Sequence, residues 1–548
     1  MAHPEFFYVT LEHLTKIGKN YHMSQTSRNE AEVRAKKVEQ LRSQGIEPYP
    51  SQSYQRTHTT EQVREYFAQP DKELENGQAD PEAMKIRLSG RITSFRSSGS
   101  ICFIDLTDIT GKLQLKVEKK LVQGDRGLSF KQIQKLLDEG DFIGAEGIGC
   151  RTNRGELSLQ VESLTVLSKA TIPFPDLYYG VGDPEICRRN REMDMAGNPE
   201  SLQRYIMRSR IVQSIRTYLN QQQFNEIETP VLQAIYGGAA AKPFTTHHNA
   251  LDVDLFLRIA PELFLKRAIC GGFERVYELG RVFRNEGIDS THNPEFSSLE
   301  VYQAYADYFD IMTVIESVIT YTVSQVLGDR TEVEYQGQTI NLALQYDHSD
   351  KYPHLTGNHW QIKTMVSAVK DETGLDFDNL ALKDAIVKAE SLGIHLSGLE
   401  KQSLGYVLYA VFDKLVESTL IEPTFIIDFP IEISPLAKSH RSKPGFVERF
   451  ELFINGTEFA NGFSELNDPE EQRKRFEQQR QQREAGDDEA HPMDEDFIQA
   501  LSLGMPNCAG WGIGVDRVVM LLTNTLSIRD AIMFPTMRPI KDSKDNQE

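Results

Sequence analysis

Alternating hydrophobic and polar positions mark a β-rich region between residues 86 and 170. Five short runs there follow the two-residue period of strands that bury one face. A helical pattern over Ser129–Leu137 separates the third run from the fourth. Five strands with a helix at that place are typical of a small closed barrel of the oligonucleotide-binding type. We therefore predict such a barrel in the first third of the chain.

The stretch from Phe273 to Asp307 predicts a strand, a polar loop and a second strand, with the loop between Glu286 and Glu295. Alternation places Arg284 and Glu286 on one face. On the return strand, one face carries Phe296, Ser298, Glu300 and Tyr302, whereas Phe283, Leu299 and Val301 are predicted to be buried. If the polar faces pair, they form a site for an anion and a cation. An ordinary half-buried hairpin with solvated charges explains this stretch equally well.

A second hairpin is predicted around Asn455-Gly456, a dipeptide that favours a two-residue turn. Such a turn pairs Phe453 with Glu458 and Leu452 with Phe459, and it places Glu451 diagonally from Glu458 on the same face. Two carboxylates on one face suit Mg²⁺, which binds one or two protein carboxylates together with phosphate oxygens. Two exposed strand carboxylates are the simpler interpretation of this hairpin by itself.

The return strand of this hairpin also carries Asn461, Phe463 and Glu465, which by parity lie on the opposite face from Glu458. If all these side chains serve one cleft, the strand requires a bulge or bend near Ala460.

Gly510–Leu522 is a glycine-rich strand that turns into a helix, with Arg517 near the helix start. Glycines permit a ligand to approach the backbone, and a helix start with an arginine favours phosphate. This pattern is weak by itself and gains weight from the two hairpins before it.

Composition restricts the class of protein further. The chain has 548 residues, which predicts two to four domains, and its net charge of −20 argues against nucleic-acid binding through bulk charge. No apolar run is long enough to span a membrane, and the five scattered cysteines fit a reducing compartment. We expect a cytoplasmic protein. The predicted regions are an extension with a basic helix (1–75), the barrel (76–172), a linker (173–200) and a second domain (201–548) with a helical and irregular insertion (331–422).

Three elements occur in a fixed order: a helix and a strand that ends at Pro230, the segment FRNEGIDSTHNPEF on paired strands, and GIGVDR at a helix start. This order resembles the signature motifs of the class II aminoacyl-tRNA synthetases. Together with APELFLKR, EISPLAK and RFELFINGTEFANGFSELNDP, it is most similar to the lysyl-tRNA synthetases. The resemblance covers about Ile86 to Pro539. It implies an α+β fold in which an antiparallel sheet flanked by helices forms the catalytic domain, after an anticodon-binding OB-type barrel.

The resemblance also implies an activity and its partners. The family uses ATP and Mg²⁺ to convert L-lysine to lysyl-adenylate and then transfers the lysyl group to the 3′-end of tRNA(Lys). It also implies a homodimer, built on the helix Ser201–Leu219 and the strand that follows.

Roles for individual residues follow from the same resemblance. Arg284 and Arg517 match the catalytic arginines on the α- and γ-phosphates. The ATP set is Arg284, Glu286, His292, Phe296 and Arg517. The lysine set is Gly238, Glu262, Glu300, Tyr302, Asn461, Phe463 and Glu465. The metal set is Glu451 and Glu458. The anticodon set is Arg91, Phe103, Gln114 and Glu156.

The implied amino acid agrees with the charges. Glu262, Glu300 and Glu465 offer negative groups to two ammonium ions, and a buried ammonium requires such partners. Activation brings a carboxylate to a phosphate, so arginines and a cation must offset the repulsion between two anions. No covalent nucleophile is required, which fits the lack of a Ser/His/Asp or Cys/His set.

Three other functions remain open at this point. A lysyl transferase acting on a protein would share the catalytic motifs, although such relatives lack the N-terminal barrel. A non-catalytic regulator that binds lysine or a nucleotide would be favoured by loss of Arg284, Arg517 or the Glu451–Glu458 pair, and all four residues are present. A nucleic-acid-binding protein led by the barrel, with a vestigial enzyme domain, is disfavoured by the same carboxylates.

Overall fold

A computed structural model describes residues 25–540, except 123, 125, 126, 176–179, 354, 399 and 485–490. The first 24 residues of the predicted extension therefore lie outside the described residues, as does the possible start at Met23. The chain forms two compact units, divided between Pro199 and Glu200. The finer domain bounds given above stay predictions.

The first unit is built around a closed five-stranded barrel. Its elements are α1 (Gln25–Ser43), α2 (Thr60–Phe67), β1 (Ile86–Ser98), β2 (Ile101–Asp108), β3 (Gly111–Glu118), α3 (Phe130–Leu136), β4 (Phe142–Arg151), β5 (Leu157–Ser168), α4 (Pro184–Arg189) and α5 (Arg191–Gly197). The strand order is β1-β2-β3-β5-β4, and β1 closes the barrel by pairing with β4. The predicted barrel and its helix between the third and fourth strands are thus confirmed.

Salt bridges attach α1 to the barrel. Lys37 Nζ lies 2.5 Å from Asp138 Oδ1, and the fully buried Lys169 bridges Asp138 and Asp141. Arg34 donates to the Glu139 carbonyl at 2.8 Å. Two basic side chains of this helix, Arg34 and Lys37, therefore bind the barrel.

The second unit contains the large sheet and its helices. Its first half comprises α6 (Pro199–Gln221), β6 (Asn225–Glu226), β7 (Leu232–Gln233), β8 (Thr245–His248), β9 (Val253–Leu257), α7 (Glu262–Cys270), β10 (Arg275–Phe283), β11 (Glu295–Ala304) and α8 (Tyr308–Leu327). The middle comprises β12 (Glu332–Tyr335), β13 (Gln338–Asn341), β14 (Tyr346–Asp347), β15 (Asn358–His359), β16 (Gln361–Thr364), α9 (Met365–Thr373), α10 (Leu382–Ser391) and α11 (Leu404–Leu415). The last part comprises β17 (Thr424–Pro430), β18 (Phe446–Ile454), β19 (Thr457–Ser464), α12 (Pro469–Glu484), α13 (Glu495–Ser502), β20 (Cys508–Gly514), α14 (Val515–Leu522) and α15 (Ile528–Ala531).

The sheet has eight strands in the order β16-β17-β18-β19-β20-β11-β10-β6. The six central strands are antiparallel, whereas β16 and β6 run parallel to their neighbours at the two edges. The predicted antiparallel sheet is therefore correct for its centre only, and the whole sheet is mixed. The α+β class is confirmed. Helix α8 covers the sheet with an apolar face that includes Ile315 and Ile319.

The strand predicted to end at Pro230 is interrupted. Only Asn225–Glu226 pairs with β10, and Leu232–Gln233 joins a separate small sheet. Between them, the Thr229 N–H and hydroxyl both donate to Glu278 Oε2, and Pro230 has no N–H to donate. The chain therefore leaves the large sheet at this point. Within the described ranges, no helix is long and apolar enough to cross a membrane.

Candidate active site

A cavity of about 670 Å³ opens on the polar face of the large sheet. It is lined by every residue of the predicted ATP, metal and lysine sets except Glu465. These residues are Gly238, Glu262, Arg284, Glu286, His292, Phe296, Glu300, Tyr302, Glu451, Glu458, Asn461, Phe463 and Arg517. Tertiary structure thus brings together residues that come from four separate parts of the chain.

The hairpin β10–β11 supplies the floor of the cavity. As predicted, Phe296, Ser298, Glu300 and Tyr302 share the cavity face, whereas Leu299 and Val301 are buried beneath. The predicted end of the first strand was wrong, because β10 stops at Phe283 rather than Glu286. The Arg284 N–H still donates to the Pro294 carbonyl at 2.9 Å, but a proline cannot donate in return. The ladder ends there, and Arg284 and Glu286 belong to the loop.

Arg284 is prepared for an anionic ligand. Its guanidinium carbon lies 5.2 Å from the centre of the Phe296 ring, which restrains the side chain. Its Nε is buried and has no hydrogen-bond partner among the described residues. A buried guanidinium N–H without a partner is costly, and a phosphate or carboxylate oxygen would satisfy it.

The loop after Arg284 is held from within. Asp289 accepts hydrogen bonds from the Thr291 and His292 N–H groups at 2.7 Å each, and His292 Nδ1 lies 3.0 Å from its second oxygen. The His292 side chain is half exposed. Glu286 and His292 therefore stand at the open mouth of the cavity.

A bulge in β19 decides which side chains enter the cavity. Phe453 pairs with Glu458 as predicted, but Leu452 pairs with Ala460 instead of Phe459. Phe459 is the extra, buried residue, so the bend predicted near Ala460 is confirmed at the adjacent position. It turns Glu458, Asn461 and Phe463 toward one face.

Arg449 is a cavity residue that the sequence reasoning missed. It donates to Glu451 Oε1 at 2.5 Å and to Asn461 Oδ1 at 3.1 Å, and it thereby joins β18 to β19. Burial raises the pKa of Glu451 to about 8, although Arg449 opposes this shift. The signal was present, because Arg449 lies two positions before Glu451 and must share its face.

Glu451 and Glu458 are the predicted pair of metal-binding carboxylates. The register places them diagonally on the same face of neighbouring strands, as predicted. Within the described residues, no cluster of three or more His, Cys, Asp or Glu side chains is arranged to hold a metal ion. Two carboxylates in a cavity that is also lined by Arg284 and Arg517 fit Mg²⁺, which in nucleotide sites takes its remaining ligands from phosphate and water.

Arg517 lies in the first turn of α14, next to Glu458. Its Nη1 donates to the Glu458 carbonyl oxygen and lies 3.8 Å from a Glu458 carboxylate oxygen. The preceding residue, Asp516, is buried and accepts from the Ser297 N–H at 2.7 Å and from Arg208 at 2.5 Å. This contact fixes the helix start against the hairpin. Because the contact joins residues that are distant in the sequence, no local pattern predicts it.

The closed end of the cavity is acidic. Glu262 and Glu300 are both less than a tenth exposed, and Tyr302 donates to Glu300 at 3.4 Å. Burial and the nearby charge of Glu262 raise the pKa of Glu300 to about 8. Gly238 has a φ of +89°, and a Cβ there would lie 2.8 Å from the Glu262 Cβ. Only glycine permits this approach of the loop to Glu262.

Glu465 differs from the rest of the predicted lysine set. Its fully buried carboxylate forms an ion pair with Lys266, which also donates to Glu262 Oε1 at 2.6 Å. Glu465 therefore lies behind the lining rather than on it. A Cβ on Gly510 would lie 2.6 Å from Glu465 Oε1, so the glycine leaves that carboxylate next to the cavity.

The four anticodon candidates lie on the barrel but not at one point. Phe103 alternates with the core residues Cys102 and Ile104, so its ring faces outward rather than into the barrel core. Gln114 accepts from Ser158 at 3.0 Å, close to the exposed Glu156. The guanidinium of Arg91 lies 4.2 Å from the ring centre of Phe142. Phe103 pairs with Arg96, five residues beyond Arg91 on β1, which separates the two by about 17 Å along the strand.

Comparison with known proteins agrees with both units. Residues 183–538 match the family of class II tRNA synthetases (D, K and N), and residues 86–167 match the OB-fold nucleic acid binding domain. A lysine–tRNA ligase of Moorella thermoacetica is 48% identical over 509 residues, which cover 92% of this chain and 97% of that protein. Lysine–tRNA ligases of Gloeobacter violaceus (47% identity; 92% and 98% coverage) and Thermosynechococcus vestitus (48%; 93% and 97%) are similarly related.

Proposed function

We propose that this protein joins L-lysine to tRNA(Lys) and consumes ATP in the reaction. The chain belongs to the class II tRNA synthetases of the D, K and N group. The observation that carries the amino-acid assignment is the closed end of the cavity. Glu262 and Glu300 line it, and Glu465 lies directly behind. A pocket of buried carboxylates would not favour the binding of aspartate or asparagine.

Different residues of the cavity have different roles in the activation step. Arg284 binds the carboxylate of lysine and the α-phosphate of ATP, and it holds the two anions within reach of each other. Arg517 binds the γ-phosphate, and Phe296 stacks on the adenine. Glu286 and His292, at the mouth, contact the nucleotide. The carboxylate oxygen attacks the α-phosphorus, pyrophosphate leaves, and lysyl-adenylate forms.

Glu451 and Glu458 would hold Mg²⁺. When bound, the cation offsets phosphate charge as pyrophosphate develops. Arg449 keeps Glu451 in place by its 2.5 Å hydrogen bond, and the pairing of Glu458 with Phe453 places Glu458 on the same face. Asn461 and Phe463 follow the bulge and complete the wall beside lysine.

The second step transfers the lysyl group to the terminal ribose of tRNA. We assign the barrel to anticodon recognition, with the outward ring of Phe103 as a stacking platform and Gln114, Glu156 and Arg91 as polar contacts. The net charge of −20 makes such local contacts more important than bulk attraction.

We also propose a homodimer that works in the cytoplasm. On and around β7, an edge strand of the small sheet β7-β9-β8, Val231, Leu232 and Ile235 are 40%, 49% and 38% exposed. An apolar group at a sheet edge favours burial by a second copy. Sedimentation that shows an active monomer would contradict the dimer.

The test is lysine-dependent exchange of pyrophosphate into ATP, with Mg²⁺ and without tRNA. Parallel reactions contain ornithine, arginine, aspartate and asparagine. We expect strong exchange with lysine and weak exchange with ornithine, since one methylene is worth only about 1–3 kcal/mol. No exchange with any amino acid, in a folded protein, would favour a non-catalytic regulator.

A transferase that lysylates a protein would pass the exchange test as well. The second measurement therefore follows radioactive lysine into tRNA(Lys) and, separately, into protein acceptors. The barrel favours the tRNA, because it presents an aromatic and polar outer surface of the kind that binds unstacked bases.

A further inference from the structure

Lys266 is a buried cation for which the proposed reaction has no assigned role. It lies one turn after Glu262 on α7, and its side chain is 0% exposed. It does not line the cavity. Its Nζ donates to Glu262 at 2.6 Å and forms an ion pair with Glu465, which follows β19 in the chain. One ammonium therefore connects the two carboxylates at the closed end.

The surroundings keep Lys266 charged and in place. Its Nζ lies 5.1 Å from the Phe463 ring centre and 6.0 Å from that of Phe497. Burial alone would lower its pKa, but the charges of Glu262 and Glu465 outweigh burial and raise the pKa above its ordinary value. His491, which interacts with Lys266, has a pKa lowered to about 4 by burial and by the charge of Lys266, so it is neutral near pH 7.

The charges at the closed end balance only when Lys266 is counted. Three carboxylates (Glu262, Glu300 and Glu465) surround the site, and one is neutralised by Lys266. When lysine binding displaces the proton of Glu300, two negative charges remain, which equals the number of ammonium groups on free lysine. The substrate carboxylate is left for Arg284. Without Lys266, a third carboxylate would remain uncompensated in a buried site, and this is strongly unfavourable.

We propose that Lys266 is a positioning and specificity-determining residue, an internal ammonium that holds Glu262 and Glu465 and sets the charge of the pocket for a substrate with two ammonium groups. The proposal rests on the proposed function, because it takes lysine as the substrate. It does not make Lys266 a catalytic residue, since its side chain lies behind the cavity wall.

The test is a double-mutant cycle in the exchange assay, with Lys266→Met, Glu465→Gln and the combined variant. For Lys266→Met we expect the KM for lysine to rise about 30-fold or more, as is typical when one partner of a buried charge pair is lost. The KM for ATP should stay within twofold. In the Glu465→Gln background, Lys266→Met should leave the KM for lysine within threefold of that of Glu465→Gln or lower it, because the second substitution restores two net negative charges.

Two controls separate charge balance from folding. Arg267→Met removes the adjacent cation of the same helix, whose guanidinium faces the Phe264 ring, and it should leave the KM for lysine within twofold. Thermal melting compares all variants with and without lysine. If Lys266→Met alone does not fold, the combined variant and Glu465→Gln are compared directly, and a KM ratio above tenfold would overturn the proposal.

Other outcomes are equally decisive. A folded Lys266→Met protein with a lysine KM within threefold of wild type would overturn the role of Lys266. The proposal would also be overturned if Lys266→Met raised the KM for lysine by the same factor in the wild-type and Glu465→Gln backgrounds. A residue that only fills space would give that result. If the wild-type protein shows no lysine-dependent exchange, the proposed function fails instead.

Discussion

The two ends of the cavity are built differently. At the open end, Glu286 and His292 lie on a loop, and the Glu458 side chain is 42% exposed. At the closed end, Glu262 and Glu300 lie on a helix and a strand and are almost completely buried. Burial strengthens each electrostatic contact and makes each unmatched charge costly. In the proposed reaction, the closed end would therefore select the amino acid, whereas the open end would admit the larger and more flexible nucleotide.

The largest loss of activity is expected from a substitution at the open end. Glu458→Ala should lower the rate of adenylate formation by about a thousandfold, since it removes one of two carboxylates for a cation worth several kcal/mol. The fold should survive, because the side chain is partly exposed. Single-turnover formation of lysyl-adenylate measures this.

Its matched control is Glu295→Ala, which removes a 48% exposed strand carboxylate that lies 3.6 Å from Arg281. That variant should retain full activity. Wild-type adenylate formation by Glu458→Ala would refute the metal assignment and leave the closed end unaffected.

At the closed end, Glu300→Gln should act on lysine alone. We expect the KM for lysine to rise about 30-fold, or about 2 kcal/mol, because a buried ammonium loses its charged partner. The KM for ATP is the internal control and should change less than twofold. Equal changes in both constants would mean that the two ends are not separate in function.

The barrel extends the comparison, because its proposed role is to bind tRNA and not to take part in the reaction. Phe103→Ala should raise the KM for tRNA(Lys) about tenfold, since stacking of one base is worth about 1–3 kcal/mol. Exchange without tRNA should be unchanged. Ile109→Ala, at a 58% exposed position between β2 and β3, is the control. An equal effect of both substitutions on tRNA would contradict a specific platform.

The smallest expected effect is a pH dependence of lysine binding, which arises at the closed end. Glu300 has a pKa of about 8 in the empty site, so below pH 8 it holds a proton that lysine must displace. Lysine binding without ATP or Mg²⁺ should therefore tighten as pH rises from 6.5 to 8, by at most tenfold per pH unit, and then level off. Isothermal titration calorimetry measures this. A flat profile, or one that persists in Glu300→Gln, would contradict the assignment.

Much of this architecture could be predicted from local pattern. The two-residue period identified the cavity face of β11, and Asn455-Gly456 identified the hairpin turn, where both residues adopt positive φ. The end of β10 was misplaced because one strand's pattern does not reveal that Pro294 lies opposite Arg284. The same alternation places Arg449 on the cavity face as well, because it lies two positions before Glu451.

The sequence by itself determined the barrel, the strand faces and the order of the motifs, because these depend on neighbours a few positions apart. Tertiary structure alone decided that Lys266 binds Glu465, that Arg208 binds Asp516, and that Phe459 is the extra residue of the bulge. The physical reason is burial. The energy of a buried charge depends on partners from distant segments, and only the packed sheet brings these partners within a few ångströms.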